Sequence, residues 1–348
     1  MKNIKNNVDS QYFKLVKSIL KNGYKKEDRT GTGTMSTFGY DMSFDMRDGF
    51  PLLTSKKMFT KGIIHELIWF LKGDTNIKYL LDNNVHIWDG DCYQNYVNKT
   101  SEPLSKTDFF EKMSDGKFCD QWGNLGPIYG KQWRNWDNFD KRKISGPGLV
   151  SEVDSIVSSQ IDQIGDLVRL IRSSPDSRRL IVTAWNPGDI PKSVLPPCHY
   201  GFQCWTREMS HDERVKWAID MKIIDKNRDL SISKLDFLRV PRRYLSLKWI
   251  QRSVDTGLGL PFNIASYGIL LHLLSREVNM VPLDLKFSGG DCHIYLNHID
   301  SLELQLKQKT FKLPKLDLTN RSLDNISYED IKIVDYKSSD PISMSLSN

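Results

Sequence analysis

Three short apolar segments in the second half of the chain, followed by one long apolar segment, most constrain its fold. The sequences LIVTAWN (180–186), HYGFQCW (199–205) and YLSLKWIQ (244–251) are rich in β-branched and aromatic residues and predict buried strands. Residues 263–278 are mostly apolar and long enough for a buried helix. Because strands and helices do not alternate regularly, the pattern favours an α+β fold.

The rest of the chain predicts two further helices and two strand regions. Residues 10–22 carry apolar side chains at helical spacing, and residues 61–72 are apolar on nearly all of one side. The segment DRTGTGT (28–34) predicts a turn, and the alternating residues after it predict a strand that reaches Phe44. Residues 286–298, KFSGGDCHIYLNH, predict a strand, a turn and another short element.

Two polar segments interrupt this pattern and predict surface insertions in a single domain that spans residues 1–348. Residues 90–125 are rich in Gly, Ser, Asp and Lys, and residues 206–243 are charged. Within the second segment, Ser210 and Glu213 have the spacing of a capping box, which predicts a helix between two strands.

Composition and charge limit the classes of protein that fit. A hydrophobic fraction of 39% excludes intrinsic disorder, and a net charge of +6 suits an anionic substrate or a nucleic acid. Because residues 206–243 mix acidic and basic side chains, with no basic stripe, we do not expect a nucleic-acid partner.

The cysteines and the apolar segments indicate the compartment. Five scattered cysteines without a C-x-x-C pair predict reduced thiols in a cytoplasm, and no metal site. The longest apolar segments, IIHELIWFL and IASYGILLHLL, carry Glu or His and are too short to span a bilayer. We therefore expect a cytoplasmic protein without membrane insertion.

Cys198, in LPPCHYGFQ, is the candidate nucleophile. Two prolines fix the approach to it, and a thiol held near an arginine acquires a lowered pKa and nucleophilic character. The alternative is a small buried apolar residue, the usual role of a single cysteine.

Arginines and one carboxylate are candidates for binding and proton transfer. Arg178 and Arg179 lie at a loop-to-strand junction, and arginine forks suit phosphate, although paired arginines also solvate surfaces. Glu66 lies inside an apolar helix, where a carboxylate must be paired, protonated or functional, unless it marks the edge of an amphipathic helix.

Three further polar residues have both a structural and a functional interpretation. Asn263 follows L-P-F and has the position of an N-cap for the long helix. His293 and Tyr295 alternate on one face of a predicted strand, so both can point into one cleft, or simply pack.

In combination these motifs resemble the folate-dependent thymidylate synthase family along nearly the whole chain. The motifs that carry the resemblance are DRTGTGT (28–34), FPLLTSKK (50–57), IIHELIWFLKGDTN (63–76), HIWDG (86–90), LGPIYGKQWR (125–134), PDSRRLIVTAWNP (175–187), LPPCHYGFQ (195–203), QRSVDTGLGLPFNIASYG (251–268) and GGDCHIYLNH (289–298).

The resemblance implies a fold, an activity and an assembly. The expected fold is an α+β, thymidylate synthase-like domain whose mixed β-sheet forms the dimer interface, with flanking helices. The expected enzyme is a methyltransferase of dTMP biosynthesis that transfers a one-carbon unit from 5,10-methylenetetrahydrofolate to C5 of dUMP, giving dTMP and dihydrofolate. The implied partners are dUMP, the folate cosubstrate and a second copy of the chain, with shared active sites and no metal.

The resemblance also assigns roles on the nucleotide side. Cys198 would add to C6 of the uracil ring and make C5 nucleophilic. Asn263 would donate to O4 and accept from N3–H, which favours dUMP over dCMP. The positions for the 5′-phosphate are Arg29, Arg178, Arg179, Arg252 and Ser253, with the paired arginines supplied by the other subunit, and those for the 3′-hydroxyl are His293 and Tyr295.

Proton transfer and folate binding are assigned in the same way. Glu66 and Tyr129 would organise water and relay protons around O4 and C5, with His199 beside them. Asp255 would face the pterin and is counted among the catalytic residues. The folate positions are Lys56, Ile87, Trp88, Asp255, Leu258 and Phe262, with Lys56 near the glutamate tail.

Three departures from the family pattern leave a second reaction outcome open. The chain ends in Asn348 rather than an apolar residue, Gly201 replaces a bulky side chain, and residues 206–243 are longer than usual. A site that admits water would hydroxymethylate dUMP and release tetrahydrofolate, as relatives in some bacteriophages do. The expected outcome is methylation, because the apolar folate wall is intact.

Overall fold

The computed structural model describes residues 6–28, 30–144, 153–225 and 230–346. It divides the chain into two compact units, each described here by itself. The first unit comprises residues 1–67, 168–181 and 198–348, and the second comprises residues 68–167 and 182–197. Among the described residues, no helix combines the length and the apolar character needed to cross a membrane.

The α-helices of the described residues are α1 (Asn7–Asn22), α2 (Thr60–Leu71), α3 (Lys78–Asp82), α4 (Asp89–Lys99), α5 (Lys106–Lys112), α6 (Gly116–Trp122), α7 (Tyr129–Arg134), α8 (Gln163–Ser173), α9 (His211–Asp220), α10 (Ile232–Phe237), α11 (Gly259–Glu277) and α12 (Ile299–Gln305). The strands are β1 (Tyr24–Lys26), β2 (Thr34–Asp45), β3 (Trp136–Ile144), β4 (Val153–Ile161), β5 (Ile181–Thr183), β6 (His199–Glu208), β7 (Arg243–Asp255), β8 (Val281–Tyr295), β9 (Lys315–Leu318) and β10 (Ile331–Val334).

A six-stranded mixed sheet in the order β1-β2-β8-β7-β6-β5 forms the centre of the first unit. β7 and β8 are parallel, whereas β1–β2, β2–β8 and β6–β7 are antiparallel. β9 and β10 form a separate antiparallel pair. This arrangement confirms the α+β class predicted from the irregular order of strands and helices.

Helices α1 and α11 pack against this sheet. α1 is capped by the side chain of Asn6, which accepts from the N–H groups of Val8 and Asp9, and it buries Tyr12 and Leu15. α11 is buried along most of its length, as its apolar sequence predicts. Residues on the other face of the sheet are exposed, such as Lys248, Lys286 and Trp205. The alternation of a strand therefore places core on one face and solvent on the other.

Three predicted elements differ from the observed ones. The strand predicted over 180–186 is short, Ile181–Thr183. In the segment 286–298, predicted as a strand, a turn and another short element, residues 286–295 lie in one continuous strand, β8, because they pair with β2 on one side and β7 on the other. Residues 296–298 form a short 3-10 helix, which agrees with the predicted last element. Asn263 is not an N-cap, since α11 begins four residues earlier and Leu258 is the N-cap position.

The polar segment 90–125 contains a core of its own, in the second unit. Helices α4, α5 and α6 bring together the rings of Tyr96, Phe109, Phe118 and Trp122, with ring centroids 4.7 to 6.0 Å apart. The expectation that this segment is surface rather than core was wrong, because its aromatic residues come from three short helices and follow no single period.

The polar segment 206–243 lengthens the β6–β7 hairpin and carries helices α9 and α10. The predicted capping box is confirmed, because Ser210 and the Glu213 side chain each accept from the other residue's N–H. The two helices enclose a small apolar cluster of Ala218, Leu230, Leu235 and Val240. Residues 226–229 lie outside the described residues.

Candidate active site

Cys198 and Arg252 lie opposite each other at one end of the β6–β7 pair. Cys198 is half-buried and directly precedes β6, and its carbonyl accepts from the Arg252 N–H at 2.8 Å. Residues opposed in this way have Cβ atoms about 5 Å apart. The predicted nucleophile and one predicted phosphate ligand are therefore neighbours. All five cysteines lie in the described part of the chain, and none forms a disulfide.

The amide of Asn263 is oriented by a second amide. Its Nδ2 donates to Oε1 of Gln251 at 2.9 Å, and the same oxygen accepts from the Trp249 indole at 3.3 Å. Gln251 is 2% exposed and donates through Nε2 to the Ser253 carbonyl at 3.0 Å. Gln251 was not predicted from the sequence, although a glutamine at an inward-facing position between apolar strand residues is itself a signal of a buried hydrogen-bond network.

His199 is held as a neutral ring. Its Nδ1 lies 2.8 Å from the hydroxyl of Tyr267 on α11, and burial lowers the pKa of His199 to about 3. Burial also raises the pKa of Tyr267 well above its usual range. This pair therefore exchanges no proton with solvent near neutral pH and acts through hydrogen bonding.

His293, Tyr295 and Ser253 come together where β7 and β8 end. The register places Ser253 opposite Asp291 and Asp255 opposite His293. The rings of His293 and Tyr295 have centroids 5.3 Å apart, and the His293 carbonyl accepts from Thr256 N–H at 2.9 Å. The prediction that the two rings share one face is confirmed, and both remain half-buried.

Asp255 and Lys56 meet at the loop that precedes α11. Oδ1 of Asp255 accepts from the N–H groups of Gly257 at 2.9 Å and Leu258 at 3.2 Å. The Lys56 ammonium donates to the Gly257 carbonyl at 2.7 Å, and burial lowers the pKa of Lys56 to about 8 against the opposing effect of Asp255. Lys56 is only 4% exposed, so its ammonium points inward here.

The C-terminal segment, residues 336–346, covers this loop. The Ser339 N–H donates to the Thr54 carbonyl at 2.9 Å, and Nε2 of His298 donates to the Ser345 carbonyl at 2.6 Å. Sδ of Met344 lies 4.0 Å from the Lys56 ammonium. His298 was not singled out by the sequence, because its importance depends on a residue 47 positions away. Asn348 lies outside the described residues.

The chemistry of these groups fits a pterin. One oxygen of Asp255 is fixed by two N–H groups, and within the described residues its second oxygen, Oδ2, has no hydrogen-bond donor. A carboxylate oxygen of that kind suits the N–H donors of a pterin ring. Leu258 and Phe262 are both half-buried at the N-terminal end of α11, and their side chains supply apolar surface nearby.

The other predicted residues of the first unit occupy three places. Arg178 and Arg179 are exposed, on the loop before β5. Glu66 is half-buried in α2, although residues 62–65 and 67–71 are buried. Arg29 lies outside the described residues.

In the second unit, the predicted residues belong to an aromatic cluster. The Tyr129 ring lies 4.7 Å from Phe70 and 6.4 Å from Trp88 between centroids, and Trp88 lies 5.8 Å from Trp69. Tyr129 and Trp88 are buried, whereas Ile87 is half-buried. This cluster fixes the two rings by packing rather than by charge.

Comparison with known proteins gives consistent matches along almost the whole chain. The family model described as thymidylate synthase matches residues 10–348. The thymidylate synthase of Mesoplasma florum is 41% identical over 332 residues, which covers 94% of this chain and 96% of the relative. Those of Mycoplasma mobile and Buchnera aphidicola subsp. Schizaphis graminum are 42% and 39% identical, over 94% of this chain and 96% and 95% of the relatives.

Proposed function

The chain belongs to the thymidylate synthase family, and on that premise we propose how its residues convert dUMP to dTMP. It is a thymidylate synthase, a methyltransferase of dTMP biosynthesis. The family uses 5,10-methylenetetrahydrofolate, which when bound supplies both the methylene carbon and the hydride. The observation that carries the proposed mechanism is the position of Cys198 opposite Arg252, together with the amide of Asn263, which is oriented by Gln251, the residue before Arg252.

In the proposed first step, the Cys198 thiolate forms a bond to C6 of the uracil ring. The C5–C6 double bond gives its electron pair to C5 and, by conjugation, to O4, so C5 becomes the nucleophile. Arg252, opposite Cys198, favours the thiolate because a guanidinium stabilises a neighbouring negative charge.

Asn263 selects the base in this mechanism. Because its Nδ2 already donates one hydrogen bond to Gln251, the amide has a fixed orientation and keeps a second N–H and its carbonyl oxygen for the ring. A donor and an acceptor side by side match O4 and N3–H of uracil, and cytosine presents the reverse pattern. We therefore assign dUMP, and not dCMP, as the substrate.

Phosphate binding gives the proposed assembly. Arg252 and Ser253 hold the 5′-phosphate together with Arg29, and the exposed Arg178 and Arg179 come from a second copy of the chain. The exposed face of the central sheet, with Trp205 56% exposed, supports a dimer interface there. The proposed enzyme is therefore a homodimer with shared active sites.

The remaining predicted residues complete the proposal. Glu66 and Tyr129 organise water and move protons near O4 and C5, and the neutral His199 contributes hydrogen bonds to the same network. His293 and Tyr295 bind the 3′-hydroxyl. Asp255, Leu258, Phe262, Ile87 and Trp88 hold the folate, and Lys56 reaches its glutamate tail when its ammonium leaves the Gly257 carbonyl.

A product analysis tests the activity. The purified chain is given dUMP and methylenetetrahydrofolate, dihydrofolate is followed by its absorbance, and the nucleotide is identified by mass spectrometry. We expect one CH₂ to be gained for each dihydrofolate formed. A gain of CH₂O without dihydrofolate would establish a dUMP hydroxymethylase instead.

A further inference from the structure

We propose that Arg243 is a positioning residue that holds the loop 174–180, and with it Arg178 and Arg179, in place for the dUMP phosphate of the partner's site. The proposal rests on the proposed function, since that function gives the two arginines their role. Arg243 belongs to the elongated β6–β7 hairpin and lies far along the ladder from Cys198. Within the described residues, the hydrogen bonds and ion pairs of its guanidinium go to Thr206, Glu208 and Asp176, none of which is assigned to the substrate.

The guanidinium of Arg243 joins three groups of the first unit. Nη2 pairs with the carboxylate of Asp176, Nη1 donates to Glu208 at 3.3 Å, and Nε donates to Oγ1 of Thr206 at 3.1 Å. The Arg243 side chain is only 13% exposed, whereas those of Asp176 and Glu208 are 76% and 81% exposed. A half-buried arginine that pairs with an exposed carboxylate on the neighbouring loop gives that loop a fixed point of attachment.

The loop is fastened to β6 at further points, all through its backbone. The Thr206 hydroxyl donates to the Pro175 carbonyl at 2.8 Å, Gln203 donates to the Arg178 carbonyl at 3.4 Å, and Cys204 N–H donates to the Leu180 carbonyl at 2.8 Å. Asp176 is the one residue of this loop whose side chain pairs with Arg243. The loop is therefore attached to β6 without the side chains of Arg178 and Arg179, which are exposed and accessible to a ligand.

The insertion explains why Arg243 is rigid enough for this task. Arg243 pairs with Glu208 in the hairpin register, and Met209 N–H donates to the Arg242 carbonyl at 2.9 Å where the insertion begins. Next to it, Arg207 lies 4.5 Å from the ring centroid of Tyr244 and pairs with Glu213 of α9 at 2.7 Å. Helix α9 therefore closes the end of the hairpin and fixes the backbone from which Arg243 extends.

A fixed loop matters for affinity because an arginine ordered before binding loses less conformational entropy when it meets a phosphate. A groove of about 450 Å³ beside the loop, lined in part by Arg178, Gln203 and Trp205, gives the loop room to shift if Arg243 is removed. The loss is expected in phosphate binding and not in the chemical step.

The first test separates KM from kcat. For Arg243→Ala we expect the KM for dUMP to rise about 10-fold, with kcat within about two-fold, since one charge-assisted anchor is removed. Asp176→Asn removes the other partner of the Arg243–Asp176 ion pair and should raise the KM for dUMP by a similar factor. The variant that carries both substitutions should show no further increase. Arg243→Lys should restore most of the affinity. Binding of deoxyuridine, which has no phosphate, should be unchanged in all of them.

Arg242→Ala is the matched control, because it removes the same charge one residue away. Arg242 is 70% exposed and pairs with Asp236 of the insertion at 2.7 Å, so it does not hold the 174–180 loop. Its KM should match the wild type. If Arg242→Ala and Arg243→Ala raise KM equally, or if deoxyuridine binding falls with dUMP binding, the positioning role is wrong.

The second test uses mixed dimers. In a heterodimer of Arg243→Ala and Cys198→Ser chains, the site with an intact Cys198 receives its arginine pair from the chain that keeps Arg243. An excess of Cys198→Ser chains should therefore return the KM for dUMP to the wild-type value. A KM that stays high after confirmed subunit exchange overturns the proposal. Turnover of dUMP by the wild type distinguishes failure of the proposed function from failure of the role of Arg243. If the wild type does not turn over dUMP, the proposed function is wrong. If it does, but the mixed dimers do not recover the wild-type KM, only the role of Arg243 is wrong.

Discussion

The two ends of the β6–β7 ladder carry similar residue types but differ in how completely their polar groups are paired. At the end near Glu208, Arg243 meets two carboxylates and a hydroxyl, and Arg214 meets Asp236 at 2.7 Å and the carbonyls of Val240 and Pro241. At the end near Cys198, the amide of Asn263 and the carboxylate of Asp255 use only part of their hydrogen-bonding capacity within the described residues.

This difference distinguishes a structural charge cluster from a ligand site. Charges that are mutually satisfied stabilise the chain and have nothing left to offer a substrate. Oriented groups with unused donors or acceptors are costly to keep unless a ligand completes them. The paired end should therefore tolerate substitution without loss of chemistry, and the incompletely paired end should lose chemistry without loss of fold.

The largest expected effect is at Cys198. Cys198→Ser should lower kcat by about 10⁴-fold or more, because a serine hydroxyl at neutral pH is a far weaker nucleophile. Its thermal unfolding should match the wild type, and dUMP should still bind by calorimetry because the phosphate ligands remain. Retained turnover in this variant would remove Cys198 from the mechanism.

Asn263 is expected to give the next largest effect. Asn263→Asp should lower kcat/KM for dUMP by about 100-fold, since one hydrogen bond to the ring is lost and another is mismatched. Activity with dCMP should appear, because a protonated carboxyl donates to N3 of cytosine and accepts from its amino group. Competition between the two nucleotides in one reaction measures the shift, and a wild type that already prefers dCMP would contradict the assignment.

Arg214 tests the other end of the ladder. It is 5% exposed, so Arg214→Ala leaves Asp236 without this partner and two carbonyls without a donor. Because Asp236 is part-exposed and keeps Arg242 as a partner, the main cost comes from the carbonyls that lose their donor, about 1–3 kcal/mol of unfolding free energy. We expect a lower urea midpoint together with wild-type kcat and KM at 25 °C. Loss of turnover in the still-folded variant would show that this end takes part in the chemistry.

The smallest expected effect is a pH dependence of stability that comes from His199. Its folded pKa, about 3, lies below the unfolded value of about 6.5, so the unfolded state binds more protons between these two pH values. The contribution is complete above pH ~6.5 and decreases as the pH falls, by about 2 kcal/mol at pH ~5.

Urea unfolding at pH 7 and pH 5 measures this dependence. His199→Gln keeps a hydrogen-bonding partner for Tyr267 and removes the titration, so the difference between the two pH values should shrink. An unchanged difference would mean that other groups, such as the buried His272, whose pKa burial lowers to about 4, account for it.

The sequence predicted the helices and strands that follow one clear period. α1, α2 and β2 begin and end within a few residues of their predicted bounds, and α9 begins directly after the predicted capping residue Ser210. It failed where pairing with distant strands decides the structure, as at β8, which stays extended through Gly289 and Gly290 because two neighbours hold it. The start of α11 was placed too late, because Gly259 and Pro261 are poor helix signals in isolation.

The candidate site was predicted in part. The motifs singled out Cys198, Asn263 and Asp255 as candidates, because a thiol, an amide and a carboxylate each indicate a specific chemical role. They did not reveal Gln251, Tyr267 or His298, because these residues act by orienting another group across many positions of sequence. Arg243 was not predicted for the same reason. Within a charged segment, a charged residue is distinguished only by the groups with which its side chain pairs, here Asp176.

The pairing of β2 with β8 has a consequence for folding of the chain during its synthesis on the ribosome. Ser43 and Lys286, which lie opposite each other in this pair, are separated by 243 positions. At a synthesis rate of about 5–20 residues per second, β2 leaves the ribosome roughly 10–50 s before its neighbour exists. Throughout that interval α1 and β1 are already present, but the edge of β2 that later pairs with β8 has no native partner, so we expect the nascent chain to need chaperone protection.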